Sequence, residues 1–455
     1  MLSRTSFSVS RTRARLFLSS STAPLPACAR FPRFHPHSLA TTTQPSSAMS
    51  TFKQEPHKLL VIPGPIEVTD EVLYANAHPS MSHVSADFIP VFGDCIRMLR
   101  ELLFTQDAQP FLIAGSGTLG WDQVAANLVE PGENALVLNS GYFGDSFSDC
   151  LRTYGAKVDE IVAPFGDAVS LSELEAALKQ KKYKVVTFTH VDTSTGVLSD
   201  AKGIAATVKK VSPDTLVIAD CVCSVASEEI RFDDWGLDVV LTASQKGLGT
   251  PPGLSILVAS QKAIKVFETR ASPVTSYYGS WKKWLPIMKA YESGTPAYFA
   301  TPPVNLIYAF NTALKQITKQ SPSIEERFRL HRETSARLKH AVEELGLKQL
   351  PVKSSVAANG MTACYFPDGL TAADIIPPLL KKDIVIAAGL HKDYKLKYFR
   401  IGHMGISAID STRRDVDKVI AALKESLAEA QAGKNALSQT ARTRVVDRSM
   451  PAARL

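Results

Sequence analysis

The sequence predicts an α/β protein, a mostly parallel sheet flanked by helices, with a smaller C-terminal α+β domain. Three observations carry that expectation. Between about residues 111 and 258, short β-rich runs alternate with helix-length amphipathic segments, the order produced by strands joined through crossover helices. Several of the runs, 237–241 among them, are almost continuously apolar, as strands buried on both faces are. After about residue 310 the pattern gives way to a long charged helix and scattered strands.

In chain order, residues 51–66 run extended, with Pro63-Gly64-Pro65 as a rigid turn. Residues 111–114 form a strand, Gly115-Ser116-Gly117 a tight loop, and 118–129 a helix. The strand at 134–138 ends in the loop Asn139-Ser-Gly-Tyr-Phe-Gly144. Helical periodicity marks 171–180 and 201–211. Between them lies the strand 184–189, followed by Asp192-Thr-Ser-Thr-Gly196. Strands at 215–219, 237–241 and 254–258 complete the sheet. Further on, 324–345 is the long charged helix, 352–366, 384–388 and 398–401 are strands, and 411–430 is a closing helix. The chain thus divides into a presequence (1–48), an arm (49–66), a large α/β domain (67–310), a small α+β domain (311–430) and a flexible tail (431–455).

Composition excludes several classes. No apolar stretch approaches the roughly 18–20 residues a membrane helix needs. The net charge of +7 belongs to the ends: residues 1–50 hold six arginines and no acid, and 431–455 carry a balance of +4. The middle is therefore slightly acidic, which removes the argument for a nucleic-acid partner. The six cysteines show no paired metal-ligand spacing, so no metal is expected. They read as reduced thiols, with Cys221-Val-Cys223 as packing residues.

The two ends read as addresses. Residues 1–48 are rich in Arg and Ser and free of acids, the composition of a mitochondrial transit peptide; a disordered basic arm is the alternative. Met49 is a candidate internal start. Ala453-Arg454-Leu455 has the small–basic–leucine pattern of a peroxisomal signal, which would make an import receptor a partner. Dual targeting is the expectation.

The chemistry centres on Lys246. It follows a buried strand and precedes the Gly/Pro-rich loop ending in Pro251-Pro-Gly253. Partial burial lowers an ammonium's pKa, and a neutral amine attacks carbonyls; pyridoxal phosphate is the common partner of such a lysine. Asp220 stands at the carboxyl end of a strand, 26 positions earlier, where open α/β sheets bind ligands. A carboxylate there can pair with a pyridine nitrogen. Gly115-Ser116-Gly117-Thr118-Leu-Gly120 satisfies the dinucleotide pattern after a strand, but the next strand ends in Asn139-Ser140 without the acid a ribose requires. One phosphate at a helix N-terminus suits the loop better. Phe143 can cover a flat ring. Arg400, at a strand end in the small domain, offers a fork for a carboxylate.

These residues resemble the class V aminotransferases of fold type I, and within them the alanine–glyoxylate and serine–glyoxylate group. Asp220-Cys-Val-Cys-Ser224, Ser244-Gln-Lys246 and Pro251-Pro-Gly253 carry the likeness, which runs from about His57 to Leu423. The resemblance implies that Lys246 holds pyridoxal phosphate as a Schiff base and Asp220 pairs with the ring nitrogen. It implies that Phe143 stacks on the ring, where relatives often have Trp, and that Ser116, Gly117 and Thr118 cradle the phosphate. Many relatives have His in place of Thr118. Thr193 would sit near the ring hydroxyl and Gln245 on the phosphate side. Tyr298 and Thr301 would reach the phosphate of a second subunit, making a homodimer obligatory, and Arg400 would bind the substrate carboxylate. The implied reaction is ping-pong transfer from alanine to glyoxylate, with serine as second donor. A desulfurase or other class V lyase is the rival. It would need a nucleophilic cysteine on a mobile loop, whereas Cys364 lies in a β-like run.

Overall fold

A seven-stranded sheet forms the centre of the computed structural model, which describes residues 52–449, the backbone alone from 436 onward. Its strands are β1 (Gln109–Ala114), β2 (Asn134–Asn139), β3 (Lys157–Val162), β4 (Val185–Thr189), β5 (Leu216–Asp220), β6 (Val239–Ala243) and β7 (Leu254–Ala259). The order across the sheet is β1-β7-β6-β5-β4-β2-β3. All pairs are parallel except the two made by β7. Every residue of β4, β5 and β6 is buried, which is why these strands are apolar without alternation.

Helices α1 (Thr118–Leu128), α2 (Tyr142–Thr153), α3 (Leu171–Gln180) and α4 (Ala201–Val211) connect the parallel strands. Their starts are chemically marked. Ser170 and Glu173 form a reciprocal capping box at α3, and Asp200 accepts from the Gly203 amide at α4, which satisfies donors the helix cannot use internally.

The described residues belong to one compact unit with two main apolar cores. The larger surrounds the seven-stranded sheet. The smaller gathers Leu338, Ile375, Phe399, Ile401 and Val416 from α5 (Ile324–Glu344), the helix Ala372–Lys381, an antiparallel sheet and a closing helix. That sheet has the order β8-β10-β9, from β8 (Met361–Tyr365), β9 (Ala387–Ala388) and β10 (Tyr398–Gly402). The arm is stitched between the cores. Val61 donates to Val385 O at 3.0 Å and accepts from the Gly402 amide at 2.7 Å, which delivers Pro63 to the edge of the crevice.

Four expectations change. The strand expected at 352–366 is only Met361–Tyr365, because Pro351 and Asn359-Gly360 break the run and Ser354–Val356 forms a 3-10 turn. The strand expected at 384–388 splits: Ile384–Val385 pairs with Leu59–Leu60, whereas β9 pairs with β10. Phe143 lies in the first turn of α2 rather than in a loop. The closing helix, α6 (Asp415–Ser449), starts late because Arg414 takes a left-handed conformation. It continues through the segment expected to be a flexible tail; that segment lacks Pro up to residue 449 and holds three Ala and three Arg, both good helix formers. The presequence and Ala453-Arg454-Leu455 lie outside the described residues.

Candidate active site

Asp220 and Lys246 rise from neighbouring strands. β5 and β6 pair in parallel, with Asp220 opposite Leu241, and Lys246 sits in the turn three residues past the end of β6. Both point into the crevice beyond the carboxyl ends of the strands, the place where open α/β sheets bind ligands.

Asp220 is 2% exposed. Its Oδ1 accepts from the Val222 amide at 3.0 Å and its Oδ2 from Trp121 Nε1 at 2.8 Å. Burial pushes its carboxyl up to about 6, and the negative charge of Asp192 acts in the same direction. Among the described residues no cation lies within ion-pair distance of it. A buried carboxylate that is oriented but not neutralised is suited to accept a cationic N–H, such as a protonated pyridine nitrogen.

Lys246 is 8% exposed. Its Nζ donates to Pro63 O and, at 3.3 Å, to Thr193 Oγ1. Burial is the largest influence on the amine and lowers its pKa. Gly64 packs on the lysine stem; a Cβ there would lie 2.7 Å from Lys246 Cε. The arm therefore contributes directly to the site, which the extended reading of residues 51–66 did not foresee.

Thr193 belongs to a loop organised by Asp192. The buried Asp192 accepts from Ser194 N at 2.8 Å, Ser194 Oγ at 2.5 Å and the Phe143 amide at 3.3 Å, while Ser194 Oγ accepts from the Tyr142 amide at 3.0 Å. This loop thus caps α2 from outside and fixes Phe143 on the crevice side. The Phe143 ring is 6.3 Å from Trp121, edge-on at 63°. Asp192 and Trp121 are site residues that sequence reasoning did not single out.

The phosphate loop is open. Gly117 is the N-cap of α1 and no side chain caps the helix; the Leu119 and Gly120 amides turn back to Ser116 O and Gly117 O, which leaves the Gly117 and Thr118 amides as the donors of a candidate anion cradle. Ser116 and Thr118 are exposed beside it. A Cβ at Gly117 would meet Val222 at 2.9 Å and Ala243 at 3.2 Å, so this loop lies against the Asp220 turn and the end of β6. Gln245, next to Lys246, is half-buried.

Arg400 enters from β10. Its Nε donates to Ala388 O at 2.8 Å and its Nη1 to Thr193 O at 3.0 Å. Among the described residues it has no carboxylate within ion-pair distance. Of the cations it has the largest effect on the Lys246 amine. Tyr298 and Thr301 do not join this group. Tyr298 is 65% exposed and its ring neighbour is His83, at 5.1 Å; Thr301 is exposed. Cys364 is buried on β8 with its thiol pushed up to about 12, no place for a nucleophile on a mobile loop.

The crevice fits pyridoxal phosphate: an acid for the ring nitrogen, an amine for the aldehyde, an aromatic face and an uncapped helix for the phosphate. Comparisons with known proteins agree. The family model described as aminotransferase class-V matches residues 66–419. Alanine–glyoxylate aminotransferase 1 of Saccharomyces cerevisiae is 44% identical over 77% of this chain and 92% of its own length. L-aspartate–glyoxylate aminotransferase of Paracoccus denitrificans is 31% identical over 76% and 86%. A solved structure of alanine–glyoxylate aminotransferase from Nostoc sp. superposes with a TM-score of 0.76 at 30% identity, covering 82% of this chain and 96% of that one. The match over most of the chain, with the lysine, the acid and the open helix start in one crevice, makes this protein a member of the pyridoxal phosphate-dependent class-V aminotransferases.

Proposed function

We propose that the enzyme transfers the amino group of alanine to glyoxylate, giving pyruvate and glycine, by a ping-pong cycle. The observation that carries this reading is Arg400. A single guanidinium without an acidic partner, beside a buried amine, suits an amino acid with one carboxylate and a small side chain. The 44% identity to a relative named for alanine and glyoxylate supports the same donor and acceptor.

Bound pyridoxal phosphate supplies an electron sink for the bond broken at Cα. The protein does the rest. Arg400 holds the substrate carboxylate and thereby fixes the orientation of Cα. Lys246, kept largely unprotonated by burial, takes the Cα proton and returns it on the other side of the transfer. Pro63 O and Thr193 Oγ1 fix where that amine waits. Asp220 holds positive charge on the ring nitrogen. Half-reactions followed by absorption test the donor. Alanine should convert the aldehyde form of the bound cofactor to the aminated form, with serine slower, and glyoxylate should convert the aminated form back; no conversion by alanine would overturn the reading.

Arg400→Ala should raise KM for both substrates by about 10²-fold, the loss of a charge-assisted pair worth about 3 kcal/mol, while the absorption spectrum of the resting enzyme stays unchanged. A spectral change with unaltered KM would place Arg400 at the cofactor instead.

The active form we infer is a homodimer in which the exposed Tyr298 and Thr301 reach the partner's phosphate site; sedimentation of the purified enzyme tests this, and an active monomer refutes it. We also infer mitochondrial and peroxisomal destinations from the two ends of the chain. Deleting Leu455 from a form starting at Met49 should abolish peroxisomal import, and unchanged import would remove the C-terminal address.

A further inference from the structure

Arg327 is a buried cation with no acid beside it. It lies in the first turn of α5, is 4% exposed, and among the described residues has no carboxylate within ion-pair distance. Such a residue is costly unless its donors are used. Nε donates to Ala226 O at 3.1 Å and Nη2 to Gly247 O at 3.2 Å. Those carbonyls belong to the two catalytic turns: Ala226 lies in the turn that follows Asp220, and Gly247 adjoins Lys246. The turns also touch each other, since a Cβ at Gly247 would collide with Val225 O.

The same helix holds the substrate side. His331, one turn further on, bonds through Nδ1 to Arg327 O at 2.7 Å and through Nε2 to the Gly405 amide at 3.1 Å. The amide is a donor and Arg327 O an acceptor, so the ring is the neutral tautomer with its proton on Nδ1; burial, which pushes its pKa down to about 3, favours that neutral form. Thr334 Oγ1 donates to Ala408 O at 2.9 Å. Gly405 and Ala408 follow β10, the strand that carries Arg400.

We propose that Arg327 is a positioning residue: its guanidinium ties the Asp220 turn to the Lys246 turn and anchors both to α5, so that amine, acid and carboxylate fork keep one spacing. The proposal rests on Lys246 as the cofactor-bound amine and not on alanine as donor, so failure of either can be seen without the other.

The test compares Arg327→Met, which keeps much of the volume, with Arg327→Lys, which keeps the charge but can reach only one carbonyl. Three quantities are read: hydrogen–deuterium exchange of residues 224–228 and 244–249, the rate at which borohydride traps added pyridoxal phosphate on Lys246 by peptide mass, and kcat against KM. Arg327→Met should exchange about tenfold faster in both turns, with the strands unchanged. It should be trapped about tenfold more slowly and lose about 10- to 100-fold in kcat with KM nearly constant. Arg327→Lys should fall between. Wild-type exchange and trapping in Arg327→Met overturn the proposal, as does faster exchange spread evenly over the chain. If Arg327→Met does not fold, Arg327→Lys decides: faster exchange confined to the turns supports the proposal, and wild-type behaviour overturns it.

Discussion

Lys246→Ala is expected to lower kcat by at least about 10⁴-fold, the upper range of what a positioned acid–base group contributes. Borohydride should then leave the protein mass unchanged, because no amine remains to be trapped. The cofactor should still bind, though more weakly, since Asp220, Phe143 and the open start of α1 are untouched. The loss should be chemical rather than structural: the side chain ties only Pro63 O and Thr193 Oγ1, and removing it removes a desolvated amine. A small primary amine added to the variant should restore part of the rate by entering the space left behind. The pH dependence follows from burial, which lowers the lysine pKa. In the wild type, activity should rise as the amine loses its proton, at a pH below the roughly 10.4 of a free lysine. In the rescued variant the rise should follow the pKa of the added amine. Turnover within tenfold of wild type would remove Lys246 from the chemistry.

The parts of the site that could be read in the sequence were those set by strand ends. Asp220 ends one fully buried strand and Lys246 follows another, and burial on both faces writes itself plainly in sequence. The cradle was legible because glycines before a helix have a local cause. The arm was not. Pro63 reaches Lys246 only because residues 59–61 pair with strands from the far end of the chain, and no local pattern encodes a partner some 320 positions away. Trp121 and Asp192 were missed for a similar reason. A tryptophan in the first turn of a helix reads as core, and its bond to Asp220 depends on the packing of α1 over the sheet. β3 has no such signature because, as the edge strand next to β2, it is partly exposed, and Lys157–Val162 mixes three charged with three apolar residues without the strict alternation of a half-buried strand. The helix Phe88–Leu102 was passed over although one whole face of it is buried; its 3.6-residue period was present in the sequence.

Asp220→Asn should separate catalysis from stability. Loss of the carboxylate leaves the ring nitrogen's positive charge without its buried counter-charge, an effect of about 3–5 kcal/mol when one partner of a buried pair is removed. That corresponds to about 10²- to 10⁴-fold in kcat. The apoprotein should respond differently. Its Asp220 carboxyl is raised by burial from 3.8 to about 6, so the folded state binds the proton more tightly than the unfolded chain. Stability contributed at this position is therefore full below about pH 4, falls as pH rises through the folded pKa, and stays lost above it, by about 3 kcal/mol for two pK units. Asparagine escapes that loss. It offers Val222 N–H and Trp121 Nε1–H one full acceptor oxygen, as does the protonated carboxyl with its one carbonyl and one hydroxyl. The variant apoprotein should consequently match wild type within about 1 kcal/mol at pH 4 and be more stable, by about 2–3 kcal/mol, at pH 7.5. Urea unfolding of both apoproteins at the two pH values measures the difference. If wild type is as stable as the variant at pH 7.5, the acid does not sit uncompensated in the crevice, and its role as the cofactor's counter-charge loses its physical basis.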